Sequence, residues 1–299
     1  MSDIKLFRIK AGSVDEVPGS SVALEKSLQT LMEEHLDVFL GVRFLASEYS
    51  TGKTHGGRID TLGIDENNSP VIIEYKRSLN ENVINQGLFY LDWLLDHRAE
   101  FTLLAMKQLG PDIEQAIDWS SPRLICFAGD FTKYDEHAVA QINRSIELIR
   151  YRKYSDEFMV LELVNSVSAA VQTEAPVGPS KAKTVSEYLA QSPEDLRDLY
   201  HAAEAFLLAL GDDVTKKMTQ VYIAFRRIKN FACVEVHPQS KKLLLYLKLD
   251  PSSIDLEPGF TRDVHAIGHF GTGDLEVTVS TAGDLERAKP LLVGSYETS

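Results

Sequence analysis

GRIDTLGIDENNSPVIIEYKR, residues 57–77, is the stretch on which the fold of this chain turns. Its two ends alternate in strand fashion around a turn-forming middle, DENNS, so strands are expected over 58–64 and 70–77. Residues i and i+2 of a strand share a face. Glu74 and Lys76 therefore project with Ile72, while Val71, Ile73 and Tyr75 project the other way. Both faces are apolar enough to demand burial, where a charge is costly unless it is paired or bound to a metal. An ion pair between Glu74 and Lys76 is the plain reading of the tripeptide. Asp60 alters it, because the preceding strand carries this second acid on the face of Leu62 and Ile64. A short antiparallel connection would set Asp60 beside Glu74, and two facing carboxylates repel unless a cation lies between them. Oxygen ligands with room for water and phosphate suit Mg²⁺ or Mn²⁺.

Flanking segments extend the pattern. A helix is expected from about Ser21 to Leu40, with Ser20 or Ser21 as N-cap and Gly41 as its stop. On that helix Glu25 falls within about 20° of Met32 and Leu36, inside the apolar stripe, whereas Glu33 and Glu34 fit a solvated face. A second helix, about 80–97, puts Gln86 and Tyr90 at i and i+4 on one side. Beyond it come an apolar strand at 123–128, a helix near 135–147, and the strand-like IELIRYR and FMVLELV. Helices interleaved with apolar strands predict an α/β core whose sheet is covered on both faces.

The ordered set GRID ending at Asp60, EYK at 74–76 and Gln86-x-x-x-Tyr90 resembles the PD-(D/E)XK nuclease superfamily, in its RecB-like branch and near the NucS-type endonucleases. The resemblance covers most of 1–165, including the helix of Glu25 and the later PRLICFAGDF; Ile59 stands where the family's eponymous proline would be. It implies a restriction-endonuclease-like core, a mixed central sheet flanked by helices. It further implies metal-dependent hydrolysis of DNA: Asp60, Glu74 and Glu25 as metal-site acids, with the Tyr75 carbonyl as an extra ligand, and Lys76 as the lysine that orients the attacking water. Gln86 and Tyr90 would serve the substrate side, with Arg58, Arg77 and Lys53 on the phosphate backbone. DNA is then the partner, and a homodimer is admitted. A different class of function, a non-catalytic nucleic-acid-binding or assembly module that keeps the fold, stands beside the enzyme.

The segment 166–183 loses periodicity and collects Ser, Ala, Pro and Gly, so it is expected to link a domain over 1–165 to one over 184–299. The second is expected to be a smaller α+β domain: helical from Val185 to about Leu210, then strands at FACVEVH, KLLLYLKL and DLEVTVS, and a helix near 282–292. It resembles a domain of unknown function often attached to such nucleases, through YLKLD, RDVHAIGHFGTGDLEV and SYE. AFRRIKNF, 224–231, is its best basic patch, offering Arg226 and Arg227 to a nucleic acid. His265 and His269 have ligand spacing without an evident third ligand. STGKT at 50–54 lacks the glycine and following helix of a phosphate-binding loop, and 50–58 is expected to be a flexible approach to Asp60.

The net charge of −13 is awkward for a nucleic-acid binder, so phosphate would have to be met by metal and a few local cations. Cys126 and Cys233 sit in apolar runs as reduced core thiols. No run approaches a membrane span, and MSDIKLFRIK lacks a secretory apolar core, so a cytoplasmic protein is expected.

Overall fold

The run Pro70–Lys76 is buried at every position, as a strand apolar on both faces must be when strands flank it and helices cover it. The computed structural model describes residues 4–20, 25–76, 83–167 and 184–299. The chain divides into two compact units, Met1–Val171 and Gln172–Ser299.

The first unit runs β1 (Leu6–Lys10), β2 (Ser13–Val17), β3 (Gly19–Ser20), α1 (Glu25–Glu34), α2 (Leu36–Leu40), β4 (Val42–Ser50), α3 (Gly52–His55), β5 (Arg58–Asp65), β6 (Pro70–Lys76), α4 (Val83–Asp96), α5 (Arg98–Leu109), α6 (Ile113–Ala116), β7 (Arg123–Ala128), α7 (Lys133–Ala140), β8 (Ser145–Tyr154) and β9 (Phe158–Val167). β1 and β2 form a separate hairpin; the other strands form one sheet in the order β3-β8-β7-β6-β5-β4, with β9 also paired to β8. β4, β5 and β6 are antiparallel, β6, β7 and β8 parallel, and β9 antiparallel to β8. The class is mixed α/β. Leu62, Ile64, Ile72, Leu124, Cys126 and Leu148 pack in one core with Val83, Tyr90, Leu91, Trp93 and Leu94 of α4. Gly87 brings α4 onto the sheet: a Cβ there would overlap the Leu124 side chain.

The DENNS turn is held by Asp65, whose Oδ1 accepts the N–H groups of Asn67 and Ser69 at 2.9 and 2.8 Å. Its Oδ2 meets Arg123 at 3.0 Å, and Arg123 grips Glu147 through Nε and Nη2, both at 2.8 Å. All three are buried, so the charges survive burial by mutual pairing.

Several elements differ from the sequence expectations. The single helix ending at Leu40 breaks at His35 into α1 and α2, and Gly41 stops α2 in the left-handed conformation, φ 63°. Ser20 belongs to β3, and 21–24 lie outside the described residues. β4 was not expected, because a bulge between Phe44 and Ala46 breaks its period-2 pattern. Residues 52–55 form a helical turn where a flexible approach was expected. The helix expected near 135–147 is α7, capped by Thr132 and Asp135, and it ends before β8 begins at Ser145. β9 reaches Val167, so the first two residues of the expected linker are strand; 168–183 lie outside the described residues.

The second unit contains α8 (Val185–Gln191), α9 (Glu194–Leu208), β10 (Thr215–Met218), β11 (Ile223–Arg226), β12 (Asn230–His237), β13 (Lys242–Leu247), β14 (Thr261–Asp263), β15 (Leu275–Val279) and α10 (Ala282–Thr298). Its antiparallel sheet has the order β10-β11-β12-β13-β15-β14. Residues of α8, α9 and α10, including Leu199, Tyr200, Leu285 and Leu292, form one core with Phe225, Val234, Leu245 and Val277. Among the described residues no helix is long and apolar enough to cross a membrane.

Candidate active site

The hairpin of β5 and β6 pairs Thr61 with Ile73 and Leu62 with Ile72. At the next step the main-chain ladder ends and side chains take over. The Asp60 N–H donates to Glu74 Oε1 at 3.1 Å, and the Tyr75 N–H donates to Asp60 Oδ2 at 3.1 Å. Each carboxylate thus sits in the seam between the strands, held by a backbone donor of the other strand.

This seam is electrostatically costly. Burial, then the neighbouring Asp60, pushes the Glu74 carboxyl up to about 9, against the pull of the Asp60 N–H. Burial also raises Asp60, opposed by the Tyr75 N–H and by Arg58, with Glu48 and Glu33 adding to the rise. A positive charge between the two acids would relieve both shifts. Lys76 is buried, yet among the described residues it makes no ion pair, with Glu74 or any other acid. The structural pair that the tripeptide suggests is absent there.

Two residues of α1 reach the seam. Gln29, buried, donates through Nε2 to the Asp60 carbonyl at 2.9 Å and to Glu33 Oε1 at 2.9 Å. Glu33 Oε1 accepts the Thr61 hydroxyl at 2.6 Å. The solvated face expected for Glu33 is therefore corrected: its half-buried carboxylate belongs to the site. Glu25, Gln29 and Glu33 stand at i, i+4 and i+8, the signal that could have found them. Glu25 opens α1, and its side chain lies outside the described residues, as does the whole of Arg77.

From the other side, the Tyr90 hydroxyl accepts the Arg58 N–H at 3.1 Å and the exposed Gln86 Nε2 at 3.2 Å. Tyr90 itself is buried against Gly57, where a Cβ would stand 2.5 Å from its ring. Its hydroxyl, expected on the substrate side, fastens the start of β5. Arg58 is exposed and reaches Glu48 at 3.2 Å, and Lys26 holds the same carboxylate at 2.7 Å. Those two cations keep the exposed Glu48 below its ordinary range, the hydrogen bond from Lys26 foremost. Lys53 is exposed on α3.

The remaining candidates lie in the second unit and are corrected. Arg226 is buried, and its Nη2 donates to the Ile228 carbonyl at 2.9 Å. Arg227 pairs with Asp213 at 2.6 Å and lies 4.7 Å from the Tyr296 ring centroid. Neither presents a free cation: the Ile228 carbonyl in the β11–β12 turn engages Arg226, and Asp213, ahead of β10, engages Arg227. His265 is engaged by Asp263 at 2.8 Å, while His269 stacks on Tyr246 at 4.5 Å, so the two rings serve different neighbours.

Asp60, Glu74 and the Tyr75 main chain are the groups in the seam fit to hold a metal. Among the described residues no group of three or more His, Cys, Asp or Glu is placed to hold a metal ion. Mg²⁺ does not ask for such a group: it keeps several waters and is commonly held by one or two carboxylates.

Residues 185–299 match the model of a domain of unknown function, DUF5655. The chain is also similar to an uncharacterized protein of Haemophilus influenzae, 29% identical over 301 residues, covering 97% of this chain and 98% of the relative. No solved structure matches the chain.

Proposed function

We propose that the first unit is a nuclease that hydrolyses phosphodiester bonds of DNA with Mg²⁺ or Mn²⁺ held by Asp60 and Glu74. The observation that carries this reading is the seam itself: two mutually repelling carboxylates fixed by backbone donors, beside a buried lysine that pairs with neither. A purely structural arrangement would close Lys76 onto Glu74 or Asp60, and among the described residues it pairs with no acid, although an unpaired buried charge is expensive. The mixed sheet, with its β5–β6 hairpin between α1 and α4, supports a restriction-endonuclease-like core of the PD-(D/E)XK type.

The donor set fits the metal, because a cation between Asp60 and Glu74 favours the charged form of two carboxyls that burial raises, and offsets the Asp60 charge that adds to the rise at Glu74. When bound, such an ion neutralises the phosphate and lowers the pKa of a coordinated water. The chain's own residues do the rest. The Lys76 ammonium, with three donors, orients the attacking water and stabilises charge gathering on the phosphate oxygens. Gln29 fixes the Asp60 main chain and Glu33 the Thr61 hydroxyl, so the seam keeps its geometry. Gln86 is tied by its amide nitrogen to Tyr90, which leaves its amide oxygen to accept from water. Lys53 and Arg58 are the exposed cations placed to meet phosphates against an acidic total.

The test uses the full chain with plasmid and single-stranded DNA in Mg²⁺, Mn²⁺ or EDTA. The wild type is expected to cleave only with metal. Asp60→Asn and Lys76→Met are expected to lose about a hundredfold or more in rate while keeping a cooperative melt. Wild-type-like cleavage by either variant would overturn the assignment. A wild type that binds DNA and never nicks it would overturn it in favour of the non-catalytic module.

A further inference from the structure

α4 buries one face in the core, yet Phe89 on its flank is 47% exposed. Its surroundings are organised. Gln86, Phe89, Tyr90, Trp93 and His97 follow one another at i, i+3, i+4, i+7 and i+11, a stripe along the side of the helix that meets α3. His55 of α3 lies against this stripe, 5.4 Å from the Phe89 ring and 5.5 Å from His97. His97 stacks on Trp93 at 4.9 Å and 17°, and Trp93 contacts Tyr49 at 5.6 Å. The His97 ring is locked, because Nδ1 donates to the Trp93 carbonyl at 2.8 Å, an oxygen that only accepts. Buried Tyr90 and Trp93 and half-buried His97 thus back a half-buried His55 and an exposed Phe89, and this front pair is preorganised.

The position of this column matters as much as its make-up. Tyr90, 6.0 Å from Phe89, holds the Arg58 N–H, and Asp60 lies two residues further along the strand, about 7 Å at the usual rise. The Phe89 ring therefore stands on the order of 10–15 Å from the carboxylate seam, about one or two nucleotides along an extended strand. Lys53 and Arg58, on the same short segment as His55, are exposed. Sequence-tolerant binding of single-stranded nucleic acid uses this combination, aromatic faces for bases and cations for the backbone.

We propose that Phe89 and His55 form a stacking step that takes an unpaired base of the substrate strand beside the Asp60–Glu74 seam, so that single-stranded or frayed DNA is preferred over closed duplex. This rests on the nuclease reading of the seam and adds the substrate class to it. A base inside a closed duplex already stacks on its neighbours and has no free face for Phe89, whereas an unpaired base gains a partner.

The test measures binding apart from turnover. Full-length wild type, Phe89→Ala and Phe89→Trp are titrated in EDTA against a fluorescein-labelled 12-nucleotide single strand and its blunt duplex, read by anisotropy. A 2-aminopurine strand reports stacking by quenching. The wild type is expected to favour the single strand and quench the probe. Phe89→Ala is expected to weaken single-strand binding about tenfold or more, collapsing the preference, and Phe89→Trp to keep it. An unchanged single-strand to duplex ratio in Phe89→Ala, or a wild type that prefers duplex, overturns the stacking step. Cleavage assays on the same proteins separate the two ideas. Metal-dependent cleavage with no Phe89 effect sinks the step and spares the nuclease, whereas a wild type with no metal-dependent cleavage removes the reading on which the step rests.

Discussion

Replacing Glu74 by Gln should stabilise this protein when metal is withheld. The Gln side chain keeps an Oε1 to accept the Asp60 N–H, now at 3.1 Å, so geometry is conserved and only the titrating charge is removed. In the folded chain the Glu74 carboxyl is raised from 4.5 to about 9, by burial first and Asp60 second. Between those values the folded state holds a proton that the unfolded state has released. Stability from this group is therefore complete below pH 4.5 and is lost as pH rises to about 9, because the folded state binds the more protons. One pH unit in that window corresponds to about 1.36 kcal/mol, so wild type gives up on the order of 4 kcal/mol by about pH 7.5. At about 2–4 °C per kcal/mol for a unit of this size, Glu74→Gln should melt roughly 10 °C above wild type in EDTA at about pH 7.5. The gain should shrink towards zero near pH 4.5. Added Mg²⁺ should reverse the order, raising the wild-type melt by linkage and leaving Glu74→Gln nearly unmoved. Calorimetry at several pH values, with Mg²⁺ or EDTA, reads every part of this. A variant that melts at or below wild type in EDTA at about pH 7.5, or equal Mg²⁺ shifts in both proteins, refutes the idea that the seam is built for a cation.

Two further substitutions test the supports. Arg123→Leu leaves Asp65 and Glu147 buried without their shared cation, and should cost about 3–5 kcal/mol in urea unfolding of the first unit; a cost below about 1 kcal/mol would show that water replaces the arginine. In the second unit the Ser295 hydroxyl donates to the Phe231 carbonyl at 2.5 Å and accepts the Lys248 N–H at 2.9 Å. Ser295→Ala strands both backbone groups and should destabilise by about 1–3 kcal/mol, visible as a lower melting temperature with no change in DNA cleavage.

The sequence by itself carried the parts that depend on local periodicity. Alternation in 57–77 set β5, the turn and β6, and with them the neighbourhood of Asp60, Glu74 and Lys76, because in a hairpin the register follows from turn and pattern. The helical spacing of Gln86 and Tyr90, the stop at Gly41 and the strand at 123–128 were equally legible. What the tertiary structure alone decided depends on contacts between distant segments. The loss of main-chain pairing beyond Thr61 and Ile73 turns Asp60 and Glu74 into a seam, and no local pattern encodes where two strands part. Whether Lys76 pairs with Glu74 was open on i, i+2 spacing, and the folded chain leaves the two unpaired. Glu33 looked solvated on its own helix and is drawn inward by Thr61, a residue 28 positions away. Arg226 and Arg227 looked available because sequence shows charge without showing the Ile228 carbonyl and Asp213 that claim them. β4 escaped notice because its bulge erases the period on which strand reading relies. Phe89 did so because an exposed aromatic acquires meaning only when His55, from a turn over thirty residues earlier, is folded against it.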